Sequence, residues 1–155
     1  MEENMNIEFM REAISLAKMA AAEGEVPVGA VVVRGGEIVG RGYNKREYGK
    51  NALFHAELEA INEACTSLSG WRLWECDLYV TLEPCPMCAG AIINSRIRNV
   101  YFGASDNKAG SVGSVINLFE YPFNHKPNYV GGILEDECSS LLSEFFKALR
   151  DNKKK

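Results

Sequence analysis

The stretch CDLYVTLEPCPMCAGAIINSRIRNVYFGA, residues 76–104, decides the fold. Its first seven residues alternate Leu78, Val80 and Leu82 around Tyr79, a strand pattern with strand-forming residues. EPCP follows as a turn. Proline is tolerated in a first helical turn, so Pro86 can open a short helix through MCAGAIINSR. RNVYFGA then returns as a further strand. Because a helical crossover brings the chain back in the same direction, this unit predicts two parallel strands and an α/β protein.

The flanking sequence adds elements of the same kind. Upstream, HAELEAINEACTSL (55–68) carries Leu58, Ile61, Ala64 and Cys65 at helical spacing and ends near Ser69 and Gly70. The polar stretch KREYGKNALF (45–54) reads as a loop. Before it, VPVGAVVVR and EIVGRGYN are two strands joined by Gly35 and Gly36, a two-residue hairpin turn. A first amphipathic helix runs from Asn6 to Glu23 on Ile7, Met10, Ile14, Ala17 and Ala21, with Gly24 as its stop. Downstream, residues 105–128 are irregular, with at most one short helix around Val115 to Phe119. Such a long irregular segment in a compact domain is usually functional. A weak strand is expected at Tyr129 and Val130, and a last helix from near Glu135 to about Arg150 on Leu141, Leu142, Phe145, Phe146 and Leu149. The order predicts one domain over 1–155, a mixed sheet of about five strands between helices in a three-layer α/β/α arrangement. Both strand-helix-strand passages are expected to set parallel strands side by side.

Composition narrows the function. The chain has 155 residues, 46% hydrophobic and 25% charged, which is too apolar for disorder and too interrupted by charge for a membrane span of about 18 residues. The acidic start MEENMNIEFM lacks the features of a signal peptide, so a cytoplasmic location is expected. In a reducing compartment five cysteines do not imply a disulfide framework, and metal or catalytic roles gain weight. The net charge of -4 argues against broad binding of nucleic acid. Residues 146–155 nevertheless carry a local +4 from Lys147, Arg150, Lys153, Lys154 and Lys155 against Asp151. The chain is acidic with a basic end, over about 135–155.

Four residues carry the chemistry. His55 and Glu57 stand at one predicted helix start and Cys85 and Cys88 at another. Exposed N-H groups at a helix start favour thiolate over thiol, and one His with two Cys is a ligand set for catalytic zinc that leaves a fourth position for water. A closed structural site would take four protein ligands and has no use for a carboxylate two residues past its His. Two thiolates offset the charge of the metal, so its water needs a neighbouring base. Glu57 can take that proton and return it to substrate. The chemistry this suits is hydrolysis at an electron-poor carbon with ammonia leaving.

His-Ala-Glu at 55–57 and Pro-Cys-Pro-Met-Cys-Ala-Gly-Ala at 84–91 resemble the signature of the zinc-dependent cytidine deaminase superfamily. EVPVGAVVV, GYN, TLEPCPMCAGA, VYFGASDNKAGSVGS and LEDECSSLLSEFF extend the likeness toward the bacterial tRNA-specific adenosine deaminases over nearly the whole chain. The resemblance implies a cytidine deaminase-like fold, one zinc per subunit on His55, Cys85 and Cys88, and Glu57 as proton shuttle. It implies attack of zinc-bound hydroxide at carbon 6 of the wobble adenosine in a tRNA anticodon stem-loop, giving inosine. It also implies substrate contacts from Asn44, Asp106, Asn124, Phe145, Phe146 and Arg150, and a homodimer. Asn44 could instead end a strand and Asp106 cap a turn. Of Phe145 and Phe146, adjacent on one helix, one is expected in the core and the other exposed. Cys65, Cys76 and Cys138 read as small buried hydrophobes.

Two other functions compete with this one. A deaminase of a free base or nucleotide, such as guanine, cytosine or deoxycytidylate, would use the same metal signature. The basic residues Lys45, Arg46, Lys50 and Lys108 suit an RNA loop better, provided that they converge. A non-catalytic zinc or RNA-binding module would have no need of Glu57.

Overall fold

The structure is a computed structural model that describes residues 2–153, the side chains of residues 2–5 excepted. Lys154 and Lys155 of the basic end lie outside the described residues. Helix α1 (Glu2–Ala22) is followed by a hairpin of β1 (Gly29–Arg34) and β2 (Glu37–Tyr43). Gly35 and Gly36 both take positive φ, 59° and 80°, as a tight turn with the twist of a hairpin requires. The segment expected as a loop contains a single helical turn, α2 (Arg46–Gly49), before α3 (Ala56–Leu68). The crossover follows as β3 (Cys76–Leu82), α4 (Pro86–Ser95) and β4 (Asn99–Ala104), with Pro86 in the first turn of its helix. The irregular segment includes one 3-10 turn, Leu118–Glu120, rather than a helix from Val115. The chain closes with β5 (Asn128–Val130) and α5 (Glu135–Lys153), which runs about a turn further than its apolar pattern indicates.

The sheet order is β2-β1-β3-β4-β5. β1 is antiparallel to both β2 and β3, while β3, β4 and β5 run parallel. The β3-α4-β4 passage therefore makes parallel neighbours as expected. The β2-α3-β3 passage does not: its strands point the same way, but β1 lies between them. The hairpin has already occupied the inner edge of β2, so α3 must carry the chain past β1.

Side-chain alternation separates two layers of core. Ala30, Val32, Leu78, Val80, Val100 and Phe102 face α3 and α4. Val31, Val33 and Tyr79 face α1 and α5 with Phe9, Met10, Ile14 and Cys138. The buried face of α1 is turned from the expected one: Phe9, Ala13 and Ala20 are inside, and Ile7 is exposed. Small residues at 13 and 17 let α1 press onto Gly29, where a Cβ would strike the helix backbone. Gly40 and Gly42, two apart on β2, admit α3 in the same way. Across the other face Arg11 pairs with Glu137 at 3.1 Å and links α1 to α5. Both groups are exposed, so the pair adds at most about 1 kcal/mol.

This arrangement brings the ends of β2, β3 and β4 to one side of the sheet, with the starts of α3 and α4 above them. Ligand sites in α/β sheets favour that side, beyond the carboxyl ends of the strands.

Candidate active site

A cavity of about 730 Å³ opens there, lined by His55, Glu57 and Cys85 from the two helix starts. His55 is the N-cap of α3 and Cys85 the N-cap of α4, and neither spends its side chain on capping. The His55 Nδ1 lies 3.7 Å from Cys85 Sγ and 3.6 Å from Cys88 Sγ. The three ligand atoms all fall within 4.8 Å of one another. Tetrahedral zinc, with bonds of about 2.3 Å to sulfur and 2.05 Å to nitrogen, would set nitrogen and sulfur about 3.6 Å apart. The donor set therefore fits a tetrahedral metal of this kind.

The protons of this cluster are displaced from their usual places. The hydrogen bond from Cys88 outweighs burial and pulls the Cys85 thiol down to about 4, with help from His55. Cys88, fully buried, is pushed up because it holds the shared proton. A cation replacing that proton is offered two sulfurs and a ring nitrogen. His55 is raised chiefly by its bond to Cys85. Glu57 is buried beside them, and burial raises its carboxyl to about 7. A carboxyl at that value exchanges protons readily at neutral pH.

Other segments supply the remaining walls. Asn44, at the end of β2, is buried and accepts the Ala56 N-H on Oδ1 at 2.9 Å. It thereby ties the strand end to the start of α3, and its amide nitrogen is left to donate elsewhere. Arg46 from α2, Asp106 and Lys108 from the segment after β4, and Phe146 from α5 also line the cavity. Asp106 does cap a turn, accepting the N-H groups of Lys108 and Ala109, and it borders the cavity as well. Phe146 is 42% exposed, whereas Phe145 is half-buried and outside the lining, its ring centroid 5.5 Å from that of Phe146. Arg150 is exposed one turn beyond Phe146 and does not reach the cavity.

Asn124 is not brought to this site. It is exposed beside His125, whose Nε2 lies 2.7 Å from the Ile97 carbonyl oxygen at the start of β4. Asp106 follows the opposite end of that strand. Of the basic residues, Arg46 and Lys108 converge on the cavity. Lys45 is instead 3.9 Å from Glu59 and stacks over Tyr43.

Two residues at the site escape the sequence reading. Glu25 and Glu83 are both 2% exposed, the first folding α2 and the second the segment after β4. A trace exists in sequence for Glu83, a lone acid between Leu82 and Pro84, whereas Glu25 follows Glu23 by two residues and has no such mark. Cys76 and Cys138 are buried, as expected of small hydrophobes, whereas Cys65 on α3 is only half-buried.

A family model described as MafB19-like deaminase matches residues 4–150, so the class that fold and site define is a deaminase. The chain is 52% identical to the tRNA-specific adenosine deaminase of Bacillus subtilis over 94% of this chain and 91% of that one. A solved structure from work on A-to-I editing by tRNA:A34 deaminases at the wobble position of transfer RNA matches with a TM-score of 0.84 and 42% identity. It covers 87% of this chain and 99% of its own. A guanine deaminase from Nitrosomonas europaea matches with a TM-score of 0.74 at 25% identity, over 90% of this chain and 83% of that one. The chain belongs to the MafB19-like deaminases and to the tRNA-specific adenosine deaminase family.

Proposed function

We propose that the protein converts the wobble adenosine of a tRNA anticodon stem-loop to inosine, with zinc held by His55, Cys85 and Cys88. The observation that carries the hydrolytic part is Glu57, a carboxyl buried in the same cavity as His55 and Cys85. A binding module would gain nothing from it. Zinc on these ligands supplies Lewis acidity that makes a water nucleophilic near neutral pH. With that water, Glu57 would take one proton and give it to ring nitrogen 1 as the oxygen bonds to carbon 6, then move the proton of the new hydroxyl to the amino group, which leaves as ammonia. Adenosine and water become inosine and ammonia, and the carboxyl ends as it began. Asn44 is suited to hold the base, because its Oδ1 is fixed by Ala56 and its amide hydrogens remain for a ligand acceptor.

The identity of the substrate is supported by the rim. Arg46 and Lys108 reach the cavity from segments on either side of β1 and β3, with no ion pair to either among the described residues. Phe146 offers an accessible ring in the wall, and aromatic side chains stack on unpaired bases. A cavity of about 730 Å³ is roomier than one purine needs and suits a flipped nucleotide with its neighbours. A homodimer in the cytoplasm completes the reading, as the family resemblance implies.

Glu57→Ala tests it. The wild type releases inosine and ammonia from a stem-loop bearing a wobble adenosine. The variant is expected to retain one zinc per chain and lose at least about a hundredfold in rate. A variant that keeps most of its activity contradicts the assignment.

A further inference from the structure

Among the described residues, Glu25 and Glu83 are the two fully enclosed carboxylates near the cavity that the chemistry does not use, and each touches a different wall. Glu83 Oε1 accepts the Asp106 N-H at 3.1 Å and the Ser114 hydroxyl, and Oε2 accepts the N-H groups of Val112 and Ser114, both at 3.0 Å. One side chain thus gathers donors from both ends of residues 106–114, a stretch without helix or strand. Gly110 sits so close to the carboxylate that a Cβ there would collide with it. Glu25 Oε1 accepts the Glu47 N-H at 3.1 Å and Oε2 the Tyr48 N-H at 2.7 Å. Those donors belong to α2, whose own N-cap, Lys45, makes no side-chain cap.

Backbone N-H groups of irregular segments must find acceptors, and an ionised carboxylate offers about four acceptor positions in one place. Bonds to such an acceptor are shorter and stronger than neutral ones. Among the described residues neither carboxylate pairs with a cation. The walls are therefore held from inside by amide and hydroxyl donors alone, and the cations on them, Arg46 and Lys108, stay available at the surface.

We propose that Glu25 and Glu83 are positioning residues for substrate binding: each moulds one segment, the helical turn with its cap at 45–49 or the irregular stretch 106–114, into a wall that presents Arg46 or Lys108 to the phosphates of an RNA loop. This rests on the proposed function for the identity of the ligand. The anchoring itself does not.

Glu83→Gln keeps the shape but leaves one oxygen acceptor where there were two, and Glu25→Gln does the same for α2. Each variant is expected to raise KM for the anticodon stem-loop about tenfold, the loss of one charge-assisted bond's worth of order, with kcat within about threefold and zinc at one per chain. Amide hydrogen exchange should quicken at Asp106, Val112 and Ser114 in Glu83→Gln only, and at Glu47 and Tyr48 in Glu25→Gln only. Ser114→Ala, which removes a single hydroxyl donor, should shift KM and the 106–114 amides the same way by less, and serves if Glu83→Gln does not fold. Unchanged KM and exchange would overturn the proposal. So would lost zinc or lower kcat at constant KM, because Glu83 would then act through its neighbour Cys85. If the wild type does not deaminate the stem-loop, the function fails, and the exchange pattern still decides the anchoring.

Discussion

Glu57 and Glu83 are both buried carboxylates beside one cavity, yet their surroundings push them in opposite directions. Around Glu57 burial dominates and the carboxyl rises to about 7. Burial also acts on Glu83, but hydrogen bonds from Ser114, Asp106 and Val112 outweigh it and hold the group below the ordinary carboxylate range. Such divergence sorts a proton carrier from a permanent anion. The cost of Glu57 is measurable in the metal-free protein. A carboxyl whose folded value lies above its unfolded value of 4.5 removes stability as pH climbs from 4.5 through about 7. Metal-free Glu57→Gln should therefore exceed the wild type in stability at pH 8, by at most about 3 kcal/mol, and match it below pH 4.5. Urea unfolding at the two pH values reads this, and an equal gap at both would refute it. The convergence of His55, Glu57, Cys85 and Cys88 is legible in sequence because they stand in pairs at two helix starts. The place of Glu83 is not, since a single acid next to a proline says nothing about which distant amides will surround it.

Among the elements, local signals carry furthest. The crossover over 76–104, the Gly35-Gly36 hairpin and the start of α4 at Pro86 follow from residue patterns that act within a few positions. Strand order does not, because the insertion of β1 between β2 and β3 depends on which edges are already paired. Asn124 shows the same limit: it follows the motif-rich segment in sequence, but the chain has by then returned to the start of β4. The rotation of α1 and the seating of α3 depend on glycines whose purpose is visible only against the facing helix. A Cβ at Gly42 would meet the Ala56 carbonyl, the Glu59 side chain and the Ala60 N-H, all at the start of α3. Gly42→Val is expected to cost about 2 kcal/mol by overpacking and to weaken zinc binding, since the same turn carries His55 and Glu57. A denaturant midpoint and a zinc titration together check this; reduced stability with unaltered zinc affinity would separate β2 from the site.

For the whole molecule, acidity and RNA binding are compatible because the cations are placed locally. The net charge is -4, but Arg46 and Lys108 face the cavity, and Lys147, Arg150 and Lys153 stand on the exposed end of α5. Lys154 and Lys155 extend that basic end beyond the described residues. Replacing Lys147, Arg150 and Lys153 by Ala should weaken stem-loop binding and flatten its salt dependence, by up to about 0.7 in log-log slope for each phosphate no longer neutralised, with zinc content unchanged. An unaltered slope would remove α5 from the RNA surface. The cytidine deaminase-like fold and the metal signature serve free bases and RNA alike, so the central claim is the substrate. The most direct measurement sets kcat/KM for an anticodon stem-loop with a wobble adenosine beside those for guanine, cytosine and deoxycytidylate, using the zinc-loaded protein. Inosine and ammonia from the stem-loop, with no comparable ammonia from the three small compounds, is the predicted result. Ammonia from any of those compounds and none from the stem-loop would contradict it.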